Sequence, residues 1–176
     1  MRLLNDFFWA VWFLAVALVL AYGFVIPFGA PFLPTMKKQR QATLDLLDLK
    51  PGQVFVDLGS GDGSLLMLAA QRGLKAVGYE INPFLWAYSW LRTRRFGRRV
   101  RVKFKSFWRA DLSQADGVFV FLITHHMERF DKYLKQQATL RLGSGQEKPL
   151  RVVSHAFKIP GQTHAKKLGA LFLYIY

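Results

Sequence analysis

The chain has 176 residues, 52% of them apolar, which is enough for one domain with a real core. It carries 25 basic against 11 acidic residues, a net charge of +14, and no cysteine, which excludes disulfides, thiolate nucleophiles and cysteine-rich zinc sites together. Four histidines, at 125, 126, 155 and 164, lack the spacing of a metal site, so no metal is expected.

The first element is apolar. No charge occurs from Phe7 to Met36, and Phe7 to Ile26 alone gives 20 mostly apolar positions. As a helix that run would cross a bilayer core of about 30 Å. It is longer than the apolar part of a cleaved signal peptide and has no small-x-small cleavage site. Residues 1–36 are therefore expected to form a transmembrane anchor, with Trp9 and Trp12 near one interface and Tyr22 near the other. Lys37, Lys38 and Arg40 follow directly, against only Arg2 and Asp6 before it. The positive-inside rule then places the N-terminus outside the cell (inner) membrane and residues 37–176 in the cytoplasm. Pro27, Pro31 and Pro34 with Gly29 mark a helix exit along the membrane surface.

Residues 37–176 read as the second domain. "RQATLDLLDLKPG" suggests a short amphipathic helix ending before Pro51. Strands at about 54–58, 76–80, 100–105, 117–123 and 150–156 then alternate with helices at about 64–72, 83–96 and 126–141. This order implies a parallel sheet with helices on both faces, a Rossmann-like, doubly wound α/β architecture. In "RVRVKFKS" Val100, Val102 and Phe104 alternate with Arg101, Lys103 and Lys105, which predicts an edge strand. "LFLYIY" at 171–176 reads as a last strand, antiparallel because only a short connection precedes it. In "NPFLWAYSWLRTRRF" the aromatics Phe84, Trp86, Tyr88 and Trp90 stand at helical spacing and are expected mostly to pack.

The stretch "VFVDLGSGDGSLLMLAA" places Gly59, Gly61 and Gly63 between a buried strand and a helix, as a nucleotide-binding loop requires. Dinucleotide loops follow GxGxxG, with a third glycine where this chain has Ser64. Asp57, two residues before the first glycine, would repel a pyrophosphate and suits an ammonium group. Glu80 ends the next strand, where an acid accepts ribose hydroxyls. A ribose, a positive amino-acid end and no phosphate describe S-adenosylmethionine.

Over residues 37–176 the chain resembles the class I S-adenosylmethionine-dependent methyltransferases, on DLGSGDG and the strand-end Glu80. The resemblance implies that Asp57 and the loop Gly59, Ser60, Gly61, Asp62 and Gly63 hold the methionine part. By the same resemblance Glu80 holds the ribose, Ile81 lies against the adenine, and the third strand forms a sheet edge. Where related enzymes carry an acid for the adenine amino group, this chain has Ser106, with Asp111 as the alternative. "PFLPTMKKQ", "AVGYEINPFLWAYS" and "SFWRADLSQADGVFVF" bring the resemblance closer. They are similar to the membrane-anchored protein-lysine methyltransferases of mitochondria, which act on the adenine nucleotide translocase and the ATP synthase c-subunit. The implied function is N-methylation of a lysine in a membrane protein, by a prokaryotic relative.

The acceptor is expected beyond the strand at 117–123, bordered by "ITHHMERF". His125 and His126 are the candidates to accept a proton or shape the pocket, although paired histidines at a helix start also serve simply as polar residues. His155 ranks below them. The absence there of an [DN]PP[YF] motif disfavours methylation of nucleobase amino groups or glutamine amides. Between Glu80 and Asp111 lie nine Lys or Arg and no acid, a patch suited to anionic lipid headgroups. The competing readings are methylation of a small membrane-associated amphiphile and a non-catalytic cofactor-binding protein.

Overall fold

A computed structural model describes residues 2–23, 36–143 and 148–176. The chain divides into two compact units, residues 1–31 and 32–176. In the first, α1 (Arg2–Gly23) is a single helix with exposed apolar side chains, Phe7, Phe8, Phe13 and Leu14 among them. The expected transmembrane helix is not found: among the described residues no helix is long and apolar enough to cross a membrane. Residues 24–26 of the expected span, and the exit at Pro27, Gly29, Pro31 and Pro34, lie outside the described residues.

The second unit follows the expected alternation. Its elements are α2 (Lys37–Leu47), β1 (Val54–Leu58), α3 (Ser64–Gln71), β2 (Lys75–Glu80), α4 (Pro83–Thr93) and β3 (Val100–Phe104). They are followed by β4 (Gly117–Val120), α5 (Met127–Gly143), β5 (Arg151–His155), β6 (Lys166–Leu168) and β7 (Leu171–Ile175). The seven strands run in the order β3-β2-β1-β4-β5-β7-β6. The first five are parallel, and β7 is antiparallel to both β5 and β6.

Strand alternation sorts the core onto the two sheet faces. Val56, Leu58, Val118, Val120 and Val152 point to one face and pack with Met127, Phe130 and Leu134 of α5. Phe55, Ala76, Phe119 and Val153 point to the other, toward Leu44 and Leu47 of α2 and Leu65, Leu66 and Ala69 of α3. Central β1 is buried on both faces, whereas β3 is the expected edge, with Arg101 and Lys103 exposed.

Four local expectations are corrected. The helix from Pro83 stops at Thr93 and gives way to a 3-10 segment, Arg94–Arg99, in which Gly97 has φ 55°. β4 ends at Val120 rather than 123. β6 lies within the connection before "LFLYIY", where all three of its residues are exposed and show no strand pattern. The aromatics of α4 mostly do not pack: Phe84, Tyr88 and Trp90 are exposed, because the buried face of this helix is made by the small residues Ser89 and Thr93. Trp86 is the exception, half-buried against Phe104 and donating its indole N–H to the Val102 carbonyl at 3.2 Å.

Candidate active site

Parallel strands bring their C-terminal ends to one edge of the sheet, and the register fixes which residues stand level there. Leu58 pairs with Tyr79 of β2 and Val120 of β4, and Val120 with Ser154 of β5. One residue further on, Gly59, Glu80, Phe121 and His155 therefore line up across the four ends.

The glycine loop is built for backbone approach. Gly59, Gly61 and Gly63 have φ of 92°, 52° and 74°, a region side chains disfavour. Their surroundings differ. A Cβ on Gly59 would meet nothing within 4 Å, so this turn opens onto free space. A Cβ on Gly63 would run into Ser89 Oγ and lie 3.2 Å from Thr93 Cγ2, so this glycine lets α4 pack against the start of α3. The first glycine leaves room for a ligand and the last for the protein itself.

The acids of the site have three different environments. Asp57 is 3% exposed, and its carboxyl is pushed up to about 8, first by burial and then by Glu80 and Asp62. Asp62 accepts from the Ser64 amide at 3.0 Å and the Ser64 hydroxyl at 2.5 Å, and pairs with Arg92 at 2.6 Å. Burial opposes its ionisation, but Ser64 and then Arg92 carry it below the usual carboxylate range. Asp62 thus closes the turn that leads into α3 and fastens it to α4. Glu80 is buried and accepts three backbone N–H groups, from Gly61 at 2.8 Å, Ile81 at 2.9 Å and Asn82 at 2.7 Å. Burial raises its pKa above the usual carboxylate range, and those amides offset only part of the rise. A carboxylate offers about four acceptor positions, so Glu80 as it stands has room for one ribose hydroxyl rather than two. Because Gly61 is one of its donors, Glu80 also fixes the shape of the loop.

Asn82 N-caps α4 by accepting from the Phe84 and Leu85 amides, and Pro83 occupies the first helical position. Half-buried Ile81 therefore lies between the Glu80 carboxylate and a rigid helix start. Ser106 opens the one-turn helix Phe107–Arg109, and its side chain does not cap it. Asp111, the alternative to Ser106, is exposed and accepts from the Ser113 amide at 2.9 Å, and this bond draws its pKa down.

On the acceptor side, His125 is exposed, whereas His126 lies edge-on to Trp108 with Nε2 buried and without a hydrogen-bond partner. Burial, then the charges of His125 and Arg129, lower the His126 pKa, which keeps the ring neutral. His155 packs on Phe121 with ring centroids 5.0 Å apart, and burial lowers its pKa too. Phe157 also stacks on Phe121, with ring centroids 6.5 Å apart. Sequence reasoning ranks His155 low and passes over both phenylalanines. The one signal for them is register, since β4 and β5 are neighbours whose ends face the glycine turn.

This donor set fits S-adenosylmethionine. Asp57 is a buried acid whose ionisation a ligand ammonium would restore, the Gly59 turn is open, and Ser60 Oγ is buried without a partner. Glu80 retains one acceptor position.

Comparison with known proteins agrees with the site. Residues 57–166 match the family described as the ANTKMT methyltransferase domain. The human ATP synthase c-subunit lysine N-methyltransferase is 33% identical over 156 residues, covering 83% of this chain and 63% of that protein. The mouse adenine nucleotide translocase lysine N-methyltransferase is 35% identical over 150 residues, 82% of this chain and 62% of that protein. The chain thus spans about three fifths of the length of these curated relatives. A crystal structure of an RNA methyltransferase from Salinibacter ruber, in complex with S-adenosyl-L-homocysteine, superposes with a TM-score of 0.67 at 26% identity. It covers 82% of this chain and 92% of that one. Since the match begins at the buried Asp57 and carries through the glycine loop, Glu80 and the ends of β4 and β5, the chain belongs to the ANTKMT methyltransferase family, on the class I S-adenosylmethionine-dependent fold.

Proposed function

We propose that this chain transfers a methyl group from S-adenosylmethionine to the side-chain amine of a lysine in a membrane protein. The observation that carries the proposal is the alignment at one sheet edge of the open Gly59 turn, the buried Asp57 and Glu80, and the apolar wall of Phe121 and His155. The substrate class is supported by the relatives' names, since the ATP synthase c-subunit and the adenine nucleotide translocase are both integral membrane proteins.

The cofactor's sulfonium supplies an electrophilic methyl group. Asp57 holds the ammonium of its amino-acid end, Glu80 a ribose hydroxyl, and Ile81 the adenine face. A lysine ammonium must lose its proton before it can attack. Apolar walls favour the neutral amine, so Phe121 and Ile123 prepare the nucleophile by excluding water. His126, itself held neutral, shapes this wall with Trp108, and the lysine proton passes to solvent.

Residues 7–26 attach the chain to the cell (inner) membrane, with the domain on its cytoplasmic side. An absence of charge from Phe7 to Met36 and apolar side chains around α1 support the attachment. The bases between Glu80 and Asp111 then face anionic headgroups. Confinement to one surface raises the effective concentration of a membrane substrate without new contacts.

The test is transfer of labelled methyl into host membranes by the wild type and by Glu80→Ala, with protein and lipid separated afterwards. Label recovered as methyllysine, and lost in the variant, is the expected result. Label in the lipid extract, or none in either fraction, overturns it.

A further inference from the structure

Outside the first unit, the exposed large apolar side chains are not evenly spread. Phe84, Tyr88, Trp90, Leu91 and Phe104, all between 51% and 68% exposed, fall within 21 residues of sequence on α4 and the edge strand β3. Phe84, Tyr88 and Leu91 repeat at helical spacing and form one outward stripe of α4. Exposed bases follow the stripe, Arg94, Arg95, Arg98 and Arg99, whereas Arg101 and Lys103 alternate to the other face of β3. Among the described residues, no base from Arg94 to Arg109 takes part in a salt bridge. Arg92, by contrast, is spent on Asp62.

We propose that the outer face of α4 and the β3 edge form a second membrane contact, docking the catalytic domain flat on an anionic lipid surface. The inference rests on the membrane placement proposed above and adds where the domain itself touches the bilayer. Two properties favour lipid over other anionic partners. A face with four exposed bases beside it and no acid from Ile81 to Ala110 complements anionic headgroups. The apolar part is the convex side of a helix, mixing Leu91 with tryptophan and tyrosine, a composition that settles at the headgroup level. Single-stranded nucleic acid, the other ligand of basic and aromatic surfaces, requires a groove that tracks its backbone. Docking through α4 has a direct consequence for the site, because Asn82 and Pro83 at the start of this helix adjoin Glu80. The cofactor rim is then held at the depth of a membrane-embedded lysine.

The chain has no cysteine, so single labels can be placed in the full-length protein. An environment-sensitive fluorophore on Leu91→Cys is compared with one on Leu168→Cys, an equally exposed position on β6 at the far edge of the sheet. Both are mixed with phosphatidylcholine vesicles, with or without phosphatidylglycerol, that contain nitroxide-labelled lipid, and attachment is read separately by flotation. Docking predicts a blue shift and quenching at position 91 alone, in the anionic vesicles, reversed by high salt. Adding Arg94→Gln and Arg98→Gln lowers the ratio of docked to undocked label roughly thirtyfold. Chains that float with the vesicles but quench no more at 91 than at 168 overturn the docking face while leaving the α1 attachment standing. Chains that neither float nor quench overturn both. A shift produced by single-stranded RNA and not by vesicles overturns the lipid assignment.

Discussion

Replacing Asp57 with asparagine should stabilise the cofactor-free protein while weakening its hold on the cofactor. The carboxyl's pKa is raised in the fold from 3.8 to about 8 by burial, reinforced by Glu80 and Asp62. An acid with a raised folded pKa costs stability progressively as pH rises from its unfolded value to its folded one. Below about pH 3.8 the group is neutral in both states and costs nothing; above about pH 8 the cost is complete. At pH 7, about three units above the unfolded value, the cost is about 4 kcal/mol, at about 1.36 kcal/mol per unit. That is a large share of the roughly 5–15 kcal/mol by which folded domains are usually stable. Asparagine keeps the shape without the charge. Thermal melts of the full chain without cofactor should place Asp57→Asn on the order of 10 °C above the wild type at pH 7, and the gap should close near pH 4. Comparing the two proteins at each pH cancels the titrating groups that are not coupled to Asp57. Titration of S-adenosylhomocysteine at pH 7 should show the variant binding much more weakly, with proton release on binding only in the wild type. A stability gap that is the same at both pH values, or a variant less stable at pH 7, would refute the reasoning.

Three further outcomes follow from named geometry. Glu80→Gln exchanges an acceptor-only group for one that also donates, so it should lose cofactor affinity by about tenfold or more and loosen the loop through Gly61; hydrogen exchange at the Gly61 amide reads the second effect. Gly63→Ala should destabilise by about 2–4 kcal/mol through the left-handed backbone and the collision with Ser89, whereas Gly59→Ala should cost only about 1–2 kcal/mol, because open space faces it. Urea melts that rank the two equally would count against separate roles for these glycines. Arg141, 2% exposed, donates to the carbonyls of Leu112, Ser113, Ala115 and Lys148, so Arg141→Met should destabilise by about 3 kcal/mol by leaving them unpaired; an unchanged midpoint would contradict this.

Much of this protein is legible in its sequence because its central strands and glycine turn obey strong local rules. "VFVDL" reads as a buried strand because its apolar run has no exposed face before Asp57. Glu80 can be placed because acidic strand ends beside glycine turns have few other uses. What escapes the sequence is decided by neighbours. The aromatics of α4 are expected inside, yet Ser89 and Thr93 take that face because Gly63 leaves no more than their volume there. β6, with three exposed residues, has no pattern to read and exists only through pairing with β7. Phe121 and Phe157 gain meaning from strand register, which no window of sequence contains.

The placement of β7 also governs how the protein folds as it is synthesised. β6 precedes it in the chain but pairs only with it, and β7 in turn covers the flank of β5. Until residues 171–175 leave the ribosome, β5 is an open edge and β6 has nothing to pair with, so the nascent domain carries a strand flank able to template aggregation. The Leu150 and Tyr176 backbones close this seam with reciprocal hydrogen bonds of 2.8 and 3.0 Å. Closure of the β5 edge therefore waits on β7, and mutations in β7 should act on folding yield and chaperone dependence before they act on chemistry.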